Sequence, residues 1–252
     1  MRGRLVAGNW KSNGNLAAND ALLGHLRANE AALQGMTCAV CVPFPFLHQT
    51  RQALAGSTVK WGGQDVSQFG AGAYTGAVTA GMLREFNCRY VIVGHSERRS
   101  IFGESNAVVA AKFLAVLKEG LTPIVCVGET LQERESGAME QVLGEQLDAV
   151  LAAAGPAALA DAVIAYEPVW AIGTGKTASP EQAQGAHAFI RARLAAHDKA
   201  VAANIVMLYG GSVKAANASE LFSMPDIDGG LIGGAALVGE EFLAICRAAV
   251  RR

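Results

Sequence analysis

The chain has 252 residues with 21 basic and 22 acidic side chains, a formal net charge of −1. Near-neutrality argues against nucleic acid as the main partner, because binding a phosphate backbone needs a surplus of Lys and Arg. With 51% hydrophobic and 17% charged residues, the composition is that of a folded globular protein, at a length that single α/β barrels often reach.

At the start, Arg2 and Arg4 imitate the positive end of a secretion signal. The apolar stretch Leu5 to Gly8 is far too short for one, and Asn9, Lys11 and Asn13 follow at once. No stretch approaches the roughly 20 apolar residues of a membrane span, and the expected location is the cytoplasm. Short apolar runs then recur at Leu5 to Ala7, Cys38 to Val42, Val59 to Trp61, Tyr90 to Val93, Ile124 to Val127, Val163 to Tyr166, Ile205 to Tyr209 and Gly230 to Ile232. Their spacing averages about 31 residues, the size of one strand, one helix and their loops in a βαβ series. Helical periodicity fills the gaps at Leu16 to Leu33, Asn106 to Lys118, Met139 to Leu151, Pro180 to Ala195 and Ala215 to Phe222. Ser179 followed by Pro180 reads as an N-cap with proline at the first helical position. No linker or charge run divides the chain, so one domain over 1–252 is expected. The alternation fits either a closed parallel barrel or an open doubly wound sheet.

Cys38, Cys41, Cys88, Cys126 and Cys246 are odd in number and mostly sit in apolar runs, unlike a disulfide framework. Cys38 and Cys41 lie on a predicted strand, where positions three apart face opposite sides. Buried thiols are expected, with no redox pair and no metal.

Three glycine-rich matches fail. Gly175-Lys176-Thr177 resembles the tail of a nucleotide phosphate loop, but Trp170 stands where its first glycine belongs. Gly70 and Gly72 need a third glycine where Thr75 stands, and Gly94-His95-Ser96 needs one where Arg98 stands.

What remains is a set of polar residues just after the apolar strands, where a parallel barrel gathers its active site on one rim. Asn9 and Lys11 flank Trp10, so both point one way and Trp10 the other. A loop lysine is ordinarily just solvated. His95 follows the fourth run and precedes Ser96-Glu97-Arg98-Arg99, which can start a helix; its plain reading is a hydrogen-bonded, partly buried histidine. Glu167 closes the sixth run before Pro168, and its apolar neighbours predict a raised pKa suited to a base, against a plain cap or ion-pair role. Pro168 to Lys176 carries Val169, Trp170 and Ile172 in a connection, which suggests a lid that packs over something rather than a loop docked for good. Gly210-Gly211-Ser212 and Gly233-Gly234 follow the last two strands, where barrels often hold a phosphate on backbone N–H groups.

The segment Ala165-Tyr166-Glu167-Pro168-Val169-Trp170-Ala171-Ile172-Gly173-Thr174-Gly175 resembles the signature of the triosephosphate isomerase family. Gly8-Asn9-Trp10-Lys11, Gly94-His95-Ser96-Glu97-Arg98-Arg99, Cys126-Val127-Gly128-Glu129, Tyr209-Gly210-Gly211-Ser212-Val213 and Gly233-Gly234-Ala235 support it in the family's order, from first strand to last. The resemblance implies a single (β/α)8 barrel that interconverts dihydroxyacetone phosphate and D-glyceraldehyde 3-phosphate without a cofactor. It implies Glu167 as base, His95 as neutral electrophile, Lys11 and Asn9 as stabilisers of the enediolate, and Gly173, Ser212, Gly233 and Gly234 as phosphate contacts. Glu97 matches a residue near the catalytic lysine and histidine. It also implies a homodimer in which the loop Val66 to Thr79 brings Thr75 to a neighbour's site, and no membrane or nucleic-acid partner. The loop itself argues for an interface, since it is long and carries Phe69 and Tyr74. Two positions depart from many relatives: Ala236 stands in place of Ser, and Asp65 in place of Asn, where dimer contacts are open to change. The competing readings are another phosphosugar barrel, such as an epimerase or aldolase, and a non-catalytic phosphate-binding barrel. The last three strand runs carry no lysine for an aldolase Schiff base.

Overall fold

The computed structural model describes residues 2–173 and 177–250. Its elements run β1 (Leu5–Asn9), α1 (Leu16–Ala28), β2 (Thr37–Val42), α2 (Leu47–Ala53), β3 (Lys60–Gly63), α3 (Ala80–Glu85), β4 (Tyr90–Val93), α4 (Ser96–Phe102), α5 (Asn106–Lys118) and β5 (Thr122–Val127). They continue with α6 (Leu131–Glu135), α7 (Met139–Ala154), β6 (Val163–Tyr166), α8 (Pro180–His197), α9 (Lys199–Asn204), β7 (Val206–Tyr209), α10 (Ala215–Ser223), β8 (Gly229–Ile232) and α11 (Gly239–Ala249).

The strands pair in chain order, all parallel, and β1 pairs with both β2 and β8, closing a (β/α)8 barrel. Closure explains why the strands are apolar on both faces. Inward residues such as Leu5, Ala7, Ala39, Ile92, Ile124 and Leu208 fill the barrel as one core. Their outward neighbours, Val6, Val40, Val91, Val93 and Val125, pack under the helices as another. Cys41 belongs to the first core and Cys38 to the second, so the strand does separate them. All five cysteines are free and buried. Trp10 is fully buried in the outer layer, while Asn9 and Lys11 turn to the rim cavity.

The predicted helix Leu16 to Leu33 ends early. The side chain of Asn29 donates to the carbonyl of His25 (2.9 Å), competing for a helix acceptor, and Glu30–Leu33 continues only as a 3₁₀ turn. Ser179 caps α8 as expected, in a reciprocal pair with Gln182. No helix among the described residues is long and apolar enough to cross a membrane.

Candidate active site

The C-terminal ends of β1, β4, β6, β7 and β8 open onto a cavity of about 220 Å³. It brings together the candidate catalytic and phosphate-binding residues of the sequence: Asn9, Lys11, His95 and Glu167 on one side, Ser212, Gly233, Gly234 and Gly173 on the other.

The charged side is pre-bonded throughout. Lys11 has a positive φ of 52°, rare for a side chain with a Cβ, and its N–H donates to Asn9 Oδ1 (3.0 Å). That turn sends its ammonium to Glu97 Oε1 at 2.5 Å. His95 caps α4, and its Nδ1 accepts the N–H of Glu97 (3.2 Å). The ring proton, assigned from that bond, therefore sits on Nε2, which lies 2.9 Å from Glu167 Oε1. Glu167, 1% exposed, also accepts the Ser96 N–H (2.9 Å) and hydroxyl (3.3 Å).

The raised pKa expected for Glu167 is not found. Burial raises it, but the charge and hydrogen bond of His95, the Ser96 N–H and Cys126 outweigh burial, and the carboxyl lies below its usual range. Sequence showed the apolar neighbours and not the donors. His95 moves oppositely: burial lowers it, and the Glu167 charge and hydrogen bond lift it above its ordinary value.

The other side is built from backbone. A Cβ on Gly211 would lie 2.2 Å from Tyr209 Oη and 2.9 Å from Pro168 Cγ, and one on Gly210 would lie 2.9 Å from Glu167 Cγ. Only glycine lets this loop pass so close to the strand ends. The Ser212 hydroxyl donates to the carbonyl of Ala171 (2.9 Å), tying the loop after β7 to the one after β6. Gly233 precedes a 3₁₀ turn, Gly234–Leu237, whose first residues border the cavity. Ala236 is fully buried there. Lys214, two residues beyond Ser212, also lines the cavity and was missed, its only signal being its place after the seventh strand.

Of the predicted lid, Ile172 and Gly173 line the cavity; Thr174, Gly175 and Lys176 lie outside the described residues. Its leading end is anchored on Glu129, fully buried, whose Oε1 accepts from Trp170 Nε1 (2.9 Å), Tyr166 Oη (2.9 Å) and Arg134 Nη1 (3.1 Å).

A second cavity of about 340 Å³ adjoins the first at Asn9, Lys11 and His95 and extends past Gln64, Asp65 and Phe102. On loop 66–79, Phe69 and Tyr74 are each 45% exposed and stack face to face at 4.3 Å; after β4, Ile101 and Phe102 are 71% and 65% exposed.

A family model described as triosephosphate isomerase matches residues 4–249. The triosephosphate isomerase of Thiobacillus denitrificans is 66% identical over 251 residues, all of both chains. That of Nitrosomonas europaea is 61% identical over 248 residues and that of Bordetella pertussis 60% over 247, each covering 98% of both chains.

Proposed function

The chain belongs to the triosephosphate isomerase family, and we propose that Glu167, His95 and Lys11 carry its interconversion of dihydroxyacetone phosphate and D-glyceraldehyde 3-phosphate in glycolysis and gluconeogenesis. The observation that carries this reading is the buried Glu167 carboxylate held 2.9 Å from His95 Nε2 at a cavity whose far wall is glycine backbone. One wall suits proton transfer and the other a phosphate.

Glu167 leaves its donors on Ser96 and His95 and takes a proton from the carbon beside the carbonyl. His95 Nε2–H donates to the oxygen that gains charge, and Lys11, with Asn9, offsets the enediolate. His95 Nε2–H also gives its proton to one enediolate oxygen and takes one from the other, and return of the carbon proton to the neighbouring carbon completes the isomerisation without a cofactor. The parked carboxylate, with a smaller part from Glu97, lifts His95. Once it moves to substrate, burial and the N-terminus of α4 keep the ring neutral, as a donor needs. A glutamate base beside a neutral histidine is the known pattern of this family's chemistry, and the role of each residue here follows that pattern. Backbone N–H groups of Gly173, Gly233 and Gly234, with Ser212, hold the phosphate. The enzyme works in the cytoplasm as a homodimer, with the exposed aromatics of loop 66–79 and Thr75 seated against a second copy.

The lid, 168–176, keeps water from the enediolate phosphate, which otherwise expels its phosphate. A coupled assay with glyceraldehyde 3-phosphate tests the function, since an epimerase, an aldolase or a bare binding barrel gives no signal. Deleting Ile172 to Gly175 is expected to leave a folded barrel that isomerises orders of magnitude more slowly and releases methylglyoxal and inorganic phosphate. Isomerisation at the wild-type rate without elimination reduces the loop to a connection.

A further inference from the structure

Helix α4 serves the site at three points: His95 caps it, Ser96 holds Glu167, and Glu97 meets Lys11. Of its seven residues only Ser96 is buried. A helix so short and so little buried depends on polar anchors for its position. Arg99 supplies the inward ones, donating to the carbonyl of Gly94 (2.8 Å), Asn106 Oδ1 (2.6 Å) and the carbonyl of Cys126 (3.2 Å).

Arg98 reaches outward into a closed ring of four charges. Its Nη2 lies 3.1 Å from Asp65 Oδ2 and its Nε 2.5 Å from Glu104 Oε1. Lys112 Nζ closes the ring at 2.5 Å from both Asp65 Oδ1 and Glu104 Oε1. The side chains of Lys112 and Glu104 are 7% exposed and that of Asp65 19%. Asp65 immediately precedes loop 66–79, so one carboxylate ties that loop to the catalytic helix. Burial pushes Asp65 above the usual carboxylate range despite Lys112 and Arg98, so its charge is kept against a desolvation cost.

We propose that Asp65 is a positioning residue for the isomerisation: through Arg98 it fixes the first turn of α4, so that the seating of loop 66–79 is felt at His95 and Glu97. This rests on the catalytic reading of His95 and Glu167 given above. Without Asp65, Arg98 and Lys112 face Glu104 alone and the outward anchor of α4 loosens. The phosphate wall, on β7 and β8, is untouched.

The test compares Asp65→Ala with Asp65→Asn, which keeps an acceptor for Arg98. In Asp65→Ala, kcat is expected to fall about tenfold with KM for glyceraldehyde 3-phosphate within about twofold, and Asp65→Asn to recover to within about threefold of wild type. The imidazole ¹⁵N signals of His95 should shift in Asp65→Ala while those of His187 stay. Sedimentation at the assay concentration accompanies both. An unchanged kcat in Asp65→Ala overturns the proposal. So does a loss of activity that disappears when more protein restores the dimer, because Asp65 then acts only on assembly. An inactive wild type with a shifted His95 signal overturns the catalytic reading and supports the coupling.

Discussion

The two walls of the cavity are made differently. The wall from β1, β4 and β6 is side chain throughout, and each charge has a partner in the resting state: Lys11 with Glu97, Glu167 with Ser96 and His95. The wall from β7 and β8 is mostly backbone; after β7 it is shaped by Gly210 and Gly211, which leave no room for a Cβ, while Gly233 and Gly234 after β8 stand open to the cavity. In the proposed mechanism the first wall changes partners during the reaction, and its groups are held by bonds that substrate can replace. On the proposed reading the second has only to receive a dianion, and fixed N–H groups do that without rearrangement. Chemistry and binding should therefore separate on mutation.

The largest expected break is Glu167→Gln. It keeps the shape of the charged wall and removes the base, so kcat should fall by roughly 10² to 10⁴, about 3 to 5 kcal/mol of transition-state stabilisation. Phosphoglycolate should still bind. A variant keeping more than half of wild-type kcat in the coupled assay removes Glu167 from the mechanism and the division of labour with it.

Gly211→Ala attacks the other wall. The added Cβ meets Tyr209 Oη at 2.2 Å and Pro168 Cγ at 2.9 Å, so the loop must shift away from the strand ends. KM for glyceraldehyde 3-phosphate and Kd for phosphoglycolate should rise about tenfold, near 1.4 kcal/mol, with a smaller change in kcat. Wild-type affinity for phosphoglycolate in a folded variant means this backbone does not hold the phosphate.

The same contrast governs what can be seen in the sequence. The eight strands were legible because a parallel barrel buries both strand faces, and the residues that line the rim cavity because they stand directly after those strands. Helix α11 was not, although its buried residues Phe242, Ile245, Cys246 and Ala249 stand at helical spacing: the unbroken apolar run Phe242 to Cys246 reads equally as a short strand. Helix α2 offers little apolar stripe at all, with only Leu47 and Thr50 buried. The glycine wall announced itself as glycine pairs. The pairing of the charged wall did not show in the residues themselves, because Lys11 and Glu97 are 86 residues apart and Ser96 and Glu167 71 apart; only the family resemblance placed Glu97 near Lys11 and His95. Those long-range donors reversed the expected direction of the Glu167 pKa. The ring around Asp65 was equally invisible, although the departure at that position was the clue.

A finer break lies in the donors of Glu167. Ser96→Ala removes the hydroxyl that donates at 3.3 Å and keeps the backbone N–H. A hydrogen bond to the charged form lowers a carboxyl pKa, so losing one raises it. The acid limb of kcat/KM should move to higher pH by about half a unit, close to 0.7 kcal/mol. Because substrate phosphate titrates too, the limb is read as the difference between variant and wild type. A limb that stays, or moves to lower pH, means the hydroxyl does not tune the base.

The smallest effect is expected at Ala236→Ser, which restores the residue that many relatives carry. Ala236 borders the phosphate wall in sequence, yet its side chain is fully buried, facing Gly8 across a gap in which a Cβ on Gly8 would lie 2.9 Å from its own. Its N–H is already used within the turn, donating to the carbonyl of Gly233 at 2.8 Å. A serine hydroxyl there points into the packing and not at the phosphate, and the turn offers it carbonyl acceptors. If the wall binds through backbone alone, KM and phosphoglycolate affinity should stay within about twofold and stability should change by less than about 1 kcal/mol. A several-fold tightening of phosphoglycolate would mean that a side chain at this position reaches the anion, and the separation between a side-chain wall and a backbone wall would no longer hold.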